Sequence, residues 1–403
     1  MRCVLIDHTG PGWPAIVDRL HARLSRTSSA LLPTHFVKTT FVKMGGRLLT
    51  LGEGEKLLAV GLLFPRALEG GLPVYTLRLH ELGPLPPDDE LRAVVEGLIA
   101  PGRAVLYRPA DGRTYGPTSI QSGPFELGRP APEELAAVRR LHSAIWGVTE
   151  AEGYPEDLYS AEFAPGTALV ARRDGQVAGF LLGFRRFGLP ALEGLDLPYQ
   201  LALAIESQVM GVAPEQRRSG LAAMLKREQA RLALADGIDL IHWTADPLQY
   251  PNAVLNFARL RAVAGEFTPA YYPFQNELNR VPASRLGISW LPRSARGRAG
   301  RSDGGGEDRR LGRFPGCVVL NEGPVPLAGP GGAPHLAVEI PADWTALQRD
   351  EPELAAAWRD ATDTLFAAYL GYEPGRYVVA DVAAEGPRRY LVAHRFTPEL
   401  LAP

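Results

Sequence analysis

Short apolar runs alternate with amphipathic stretches along this chain, and Gly- or Pro-rich turns separate them. Two of the runs, RLLTL (47–51) and KLLAVGLLF (56–64), flank Gly-Glu-Gly-Glu, a turn composition that predicts a β-hairpin. Leu20 and Leu24 mark a first helix over about residues 14–24. After the hairpin, residues 75–82 read as a strand, Pro-Pro-Asp-Asp-Glu (86–90) opens a helix, and residues 104–107 read as a further strand. The acidic residues at that helix start complement its dipole.

Much the same order recurs over residues 122–292. PFELGR (124–129) reads as a strand, and Pro132, Glu133 and Glu134 open a helix. Leu135, Val138, Leu141, His142 and Ile145 give that helix one apolar stripe at a spacing of about 3.6. ALVARR (168–173) and QVAGFLLGF (176–184) flank Asp174-Gly175 as a second hairpin. A strand over 205–212 follows, then a helix over 219–236, a strand in IDLIHWT (238–244) and a helix after Pro251. The two halves share their order of elements but not their residues, so the repeat is one of architecture.

Residues 293–314, RSARGRAGRSDGGGEDRRLGRF, are Gly/Arg/Ser-rich with few large apolar residues, and read as a flexible linker. Beyond it, CVVL (317–320) and HLAVEI (335–340) are strand-like. Leu354, Trp358, Ala361 and Leu365 mark a helix that stops near Gly371, and residues 377–382 and 390–396 read as a closing pair of strands. A segment this short is expected to pack onto its neighbours rather than stand alone.

Composition narrows the class further. The 403 residues suffice for two or three domains, and 46% hydrophobic with 22% charged residues is the balance of a soluble globular protein. A formal net charge of −2 gives no electrostatic reason to expect nucleic acid or an anionic membrane as partner. No apolar run reaches the ~18 residues a membrane helix needs, and the start MRCVLIDHTGPGW turns polar too early for a signal peptide. Cys3 and Cys317 lie far apart with no ligand-like spacing, so a cytoplasmic location without disulfides or a cysteine zinc site is expected. Neither HxxxH, HExxH nor a carboxylate cluster suggests a metal, and GxSxG, a Walker-type loop and a complete GxGxxG at a strand–helix junction are missing.

Candidate chemistry concentrates in IESQVMGVAPEQRRSGLA (205–222). A strand, a Pro-containing turn and a glycine at a helix start form a cup of backbone N–H groups suited to pyrophosphate. The turn reads Arg217-x-x-Gly220-x-Ala222. With the order of elements around it and Asn252 after the next strand, residues 122–292 resemble the GNAT superfamily of acyl-CoA-dependent N-acyltransferases. WTADPL (243–248), Asn252-Ala253, Asn256, Arg285 with Trp290, and AVEIP…AAAWRDATDTLF…GY (337–372) resemble one group of predicted acetyltransferases within it, linked with N-acylamino-acid metabolism.

The resemblance implies an α/β (α+β) fold of tandem GNAT-like mixed sheets flanked by helices. Residues 1–121 would be a degenerate GNAT-like domain without the glycine turn, 122–292 the acyl-CoA-binding domain, 293–314 the linker and 315–403 a C-terminal α/β extension. Acetyl-CoA or another acyl-CoA is the implied co-substrate, with no metal. The implied partner is a small-molecule amine, an amino acid first, acylated with an acetyl or succinyl group by direct attack in a ternary complex. A non-catalytic CoA-binding sensor or regulator is the alternative, and the oligomeric state stays open.

Each implied binding residue has a physical reason. Gly220 has no Cβ, so phosphate oxygens can approach its backbone. Ala222 is small enough to keep the first helical turn open, and N–H groups of Arg217, Arg218, Ser219, Gly220, Leu221 and Ala222 would point at the pyrophosphate. Arg217 and Arg218 add charge-assisted bonds. Met210, Gly211 and Val212 on the strand would lend backbone groups to the pantetheine amides.

Acyl transfer needs an amine with a free lone pair, and alkyl amines titrate near ~10.4, which calls for a base. Glu206 is at the position where histone-type members of the superfamily carry a catalytic glutamate. The usual tyrosine acid after the motif Asn is replaced by Arg259, leaving Tyr271 and Tyr272 as substitutes. His242, in an apolar strand, reads as a core residue. Arg185 and Arg186 could meet a substrate carboxylate, but read first as surface ion-pair formers.

Overall fold

A computed structural model describes residues 2–28, 30–149, 153–272, 280–299, 309–327 and 329–403. In it β1 (Arg2–Leu5) lies antiparallel to β2 (Arg47–Glu53), which turns through Gly54 and Glu55 into β3 (Lys56–Glu69). β4 (Leu72–Glu81) continues the meander, and β5 (Arg103–Tyr107) joins it in parallel after the helix Asp88–Ile99. A parallel partner requires such a crossover. The helix buries Leu91, Val95 and Ile99, one residue per turn, among Leu49, Leu63 and Leu77 of the five-stranded sheet.

By its contacts the chain forms two compact units, one of Met1–Leu189 with Ala202–Ile238, the other of Pro190–Leu201 with Asp239–Pro403. Besides the first sheet, the first unit holds β6 (Ile120–Ser122), β7 (Phe125–Gly128), β8 (Thr167–Arg173), β9 (Gln176–Phe187) and β10 (Leu203–Val212), each antiparallel to the next, with residues 188–202 connecting β9 to β10. Asp174 (φ 51°) and Gly175 (φ 74°) both take positive φ at the β8–β9 turn, which matches the right-handed twist of the strands. Alternate residues of β9 serve opposite faces. Phe180, Leu182 and Phe184 join Leu135 and Val138 of the helix Leu135–Trp146, while Leu181 joins Leu221 and Leu225 of the helix Leu221–Ala235.

The order helix, hairpin, strand, helix therefore occurs twice in the first 240 residues, as the pattern predicts. A fully buried pair also sits in this unit: Arg78 Nε and Nη2 donate to Asp157 Oδ2 and Oδ1 at 2.8 and 2.9 Å. Burial, and after it the field of Arg78, holds the neighbouring His80 down to about 3, so that ring stays neutral.

The second unit carries β11 (Ile241–Ala245), β12 (Val263–Tyr272), β13 (Ala283–Trp290), β14 (Cys317–Val319), the short hairpin β15 (Asn321–Glu322) and β16 (Val325–Pro326), β17 (His335–Ile340), β18 (Tyr377–Glu385) and β19 (Arg388–Arg395). Its sheet order is β14-β17-β19-β18-β12-β13-β11, so the C-terminal strands share a sheet with β11 to β13. Of the stretch read as a linker, residues 300–308 lie outside the described residues. Its flanks are ordered: Ala295–Ala299 is a short helix whose Arg296 pairs with Asp381, and Leu311–Arg313 is a 3-10 turn.

Motif residues distant in sequence meet in this unit. Arg359 Nη2 and Arg285 Nη1 approach Asp246 Oδ2 at 2.7 and 3.4 Å, and Ser284 Oγ donates to Asp363 Oδ2 at 2.5 Å. Arg359 lies over the Trp344 ring at 4.8 Å, and burial pushes Asp363 up to about 6. Among the described residues no helix is long and apolar enough to cross a membrane.

Candidate functional site

The turn at the end of β10 is set by its neighbours. Ala213 N–H donates to Ala178 O at 2.9 Å, and Pro214–Gln216 makes a 3-10 turn. Arg218 (φ 67°) and Gly220 (φ 86°) then take left-handed conformations before the helix Leu221–Ala235. A non-glycine residue with positive φ costs of order 1 kcal/mol and is held by its surroundings. Leu221 and Leu225 provide that hold, packed among Phe125, Leu127, Leu169 and Leu181. A Cβ on Gly220 would meet only Met224 Cε, at 4.0 Å. The position therefore calls for glycine through its φ, not through crowding, and the space before its backbone is open.

The expected row of six N–H groups is thinned by the turn itself. Arg217 N–H donates to Pro214 O, Ser219 N–H to Gln216 O, and Leu221 N–H faces Ser219 Oγ at 3.4 Å. Ser219 Oγ is itself engaged, donating to Gln216 O at 2.6 Å. Among the described residues, the amides of Arg218, Gly220 and Ala222 have no acceptor in the chain. Alternate amides are thus left free, as in an anion-binding nest, at the positive end of a 15-residue helix. Arg217 and Arg218 are exposed, and among the described residues neither has an ion pair. Free amides and a helix dipole meet at one place, with two exposed arginines in the same turn, which suits a doubly charged anion.

Upstream, β10 carries a bulge. Glu206 faces Phe184 and Val209 faces Leu182, so three steps on β10 span two on β9. Met210, Gly211 and Val212 beyond it stand opposite Leu181, Phe180 and Gly179. A Cβ on Gly211 would come within 2.5 Å of Phe180 Cε1, so that strand position is restricted to glycine by packing.

The bulge aims three polar side chains at three partners. Glu206 Oε2 accepts from Arg186 Nη1 at 2.5 Å, with both side chains buried. Arg186 also donates to Gly188 O and Lys43 O. Of the two arginines expected at the surface only Arg185 behaves so, pairing with the exposed Asp236 at 3.0 Å; Arg186 is interior because it is the counter-ion Glu206 needs there. Gln208 Nε2 donates to Tyr154 Oη at 2.8 Å, and Lys226 Nζ donates to Ser207 Oγ at 2.8 Å. Glu228, which breaks the apolar stripe of its helix, receives Arg231 Nε and Nη2 at 2.8 and 2.7 Å.

Burial drives the Lys226 ammonium well below the ordinary lysine value, against the opposing field of Glu206. Below ~10.4, and down to the folded value, the unfolded chain holds a proton the folded one does not, so stability rises with pH across that window. The Lys226→Met variant is expected to lose this rise. Urea unfolding at pH 7 and 9.5 checks it: the native chain should gain more stability than the variant at the higher pH.

The structure brings Glu206 and residues 210–222 together in the first unit. Asn252, Tyr271 and Tyr272 belong to the second. There Asn252 is exposed on the helix Tyr250–Ala253, Tyr271 is buried with its ring 4.9 Å from that of Tyr272, and Tyr272 lies under Arg285. His242 is a buried strand residue, with Nε2 3.5 Å from Glu266 Oε2. Ser207, Gln208 and Lys226 were not legible as site residues. Their signal is the bulge, which no residue pattern announces.

No protein-family model matches the chain, and no curated protein matches it. Solved structures similar to part of it include Ard1 from Thermoplasma volcanium (14% identity, TM-score 0.32), which covers 42% of this chain and 97% of that one. Arabidopsis thaliana NAA60 in complex with acetyl-CoA has 14% identity and a TM-score of 0.32, over 41% of this chain and 99% of its own. The ribosomal-protein-S18-alanine N-acetyltransferase from Escherichia coli has 12% identity and a TM-score of 0.30, over 41% and 93%. At these identities and scores the likeness fixes neither family nor activity.

Proposed function

We propose that this protein is an acyl-CoA-dependent N-acyltransferase that binds the cofactor's pyrophosphate at residues 217–222 and its acyl thioester at the β10 bulge. The observation that carries the reading is the set of amides at Arg218, Gly220 and Ala222 that have no acceptor among the described residues, in a turn whose two arginines have no ion pair among them either. The spacing supports it. Gln208 to Ala213 is five residue steps of extended chain, roughly 16 Å, a span that an extended pantetheine arm covers. The helix dipole and guanidiniums supply charge where the phosphates lie, and the bulge offers irregular backbone where the thioester lies.

In this reading an amine, an amino acid being our first choice, attacks the thioester directly while both are bound. The C–N bond forms, the C–S bond breaks, and CoA leaves as the thiol. A thiol of pKa near ~8.5 is an adequate leaving group without a strong acid. Asn252, Tyr271 and Tyr272 are in the second unit, and the proposal does not draw on them.

Calorimetry with CoA and with 3′,5′-ADP tests the reading. Both are expected to bind, because both present phosphates to the turn, with CoA the tighter. Binding of neither ligand would sink it. A second reading, a CoA-binding sensor without chemistry, is favoured by the ion pair that occupies Glu206 and by Arg259 at the position of the usual acid. Release of free thiol from acetyl-CoA in the presence of amino acids separates the two.

A further inference from the structure

Next to the bulge is a histidine that the helix pattern hides. His142 lies in the helix Leu135–Trp146, its ring stacked on Trp146 at 4.7 Å and 25°. The Tyr154 ring stands edge-on to it at 6.0 Å, and Phe180 of β9 approaches at 6.2 Å. Tyr154 is the residue whose Oη holds Gln208 of the bulge. The imidazole therefore stands one side chain away from the irregular backbone of β10.

Its Nδ1 is not used by the fold: the atom is buried with no partner among the described residues. Burying an imidazole nitrogen unpaired is unfavourable, so the atom is available to a ligand. Its titratable neighbours are Tyr154 and His35, the latter from the segment Thr34–Phe36. Burial, and to a lesser extent the field of His35, brings His142 down to about 4, so the ring is neutral at physiological pH and has a lone pair to offer.

Resting on the acyl-transfer reading above, we propose that His142 is the proton carrier of the reaction: it accepts the proton of the attacking amine and delivers it to the departing sulfur. The amine nitrogen bonds to the thioester carbon, its proton moves to the ring as positive charge develops on nitrogen, and the C–S bond breaks. The imidazolium, made more acidic by its half-buried position, then protonates the thiolate and returns to its neutral form. Amine and acyl-CoA become amide and CoA thiol with no proton gained or lost. One residue thereby fills the base role and the acid role that Arg259 leaves vacant.

Two measurements test this. In carbon-13 spectra of the histidine-labelled protein, the His142 signal is assigned by its loss in His142→Gln. CoA is expected to shift it, and 3′,5′-ADP, which lacks the pantetheine arm, to leave it unmoved. If CoA binds and the His142 signal stays still, the inference fails while the cofactor reading stands; if neither ligand binds, the cofactor reading fails first. The second measurement is thiol release from acetyl-CoA with a mixture of the twenty amino acids. His142→Gln is expected to be at least 50-fold slower with CoA affinity within twofold of native, and added imidazole to restore part of the rate in His142→Ala. Equal release from native and variant protein overturns the role.

Discussion

Gly220→Glu is expected to weaken CoA binding at least 100-fold by calorimetry, with the circular dichroism of the native fold preserved. Three effects act together. Gly220 has φ 86°, and a side chain there costs about 1–2 kcal/mol in local backbone energy. The carboxylate adds a negative charge where two phosphates must come, and it offers an internal acceptor to the free amides of Arg218, Gly220 and Ala222. A 100-fold change is about 2.7 kcal/mol, well within the sum of those effects. Gly220→Asn separates them: Asn tolerates the left-handed region and carries no charge, so it should cost about tenfold or less. Native affinity in the glutamate variant would remove the turn from the binding site.

The turn was legible because its requirements are local. Positive φ at residue 220, small size at 222 and apolar anchoring by Leu221 all act within a few residues, so they appear as a readable pattern. Most strands and helices were legible for the same reason, down to the hairpin at Asp174 and Gly175, whereas β1, β13 and the helical segment over 34–41 were not read. What lay beyond reading was pairing across distance. Arg186 and Glu206 are 20 positions apart, and only the register of β9 against β10 shows that they meet inside. His142 sits on an apolar stripe, where its period matches its neighbours and its unpartnered nitrogen leaves no trace. Asp246, Arg285 and Arg359 were visible as motif residues, but their common ion-pair network is a product of the second unit's fold.

Glu206→Gln is expected to destabilise the protein by about 3–5 kcal/mol, the usual cost of leaving one member of a buried ion pair without its counter-charge. Arg186 remains charged and interior, bonded to the carbonyls of Gly188 and Lys43 and facing a neutral amide where its counter-ion stood. Urea unfolding should therefore show a lower midpoint with an unchanged slope. Arg186→Met in the same chain removes the stranded charge, and the double variant should recover most of the loss, because a buried pair replaced by neutral groups is often neutral in stability. The double variant also settles what Glu206 does. If the carboxylate serves to anchor β10 against β9, thiol release from acetyl-CoA recovers together with stability, as expected with His142 carrying the proton. If Glu206 is itself the proton acceptor, stability returns and turnover stays lost, since no substitution at residue 186 supplies a base.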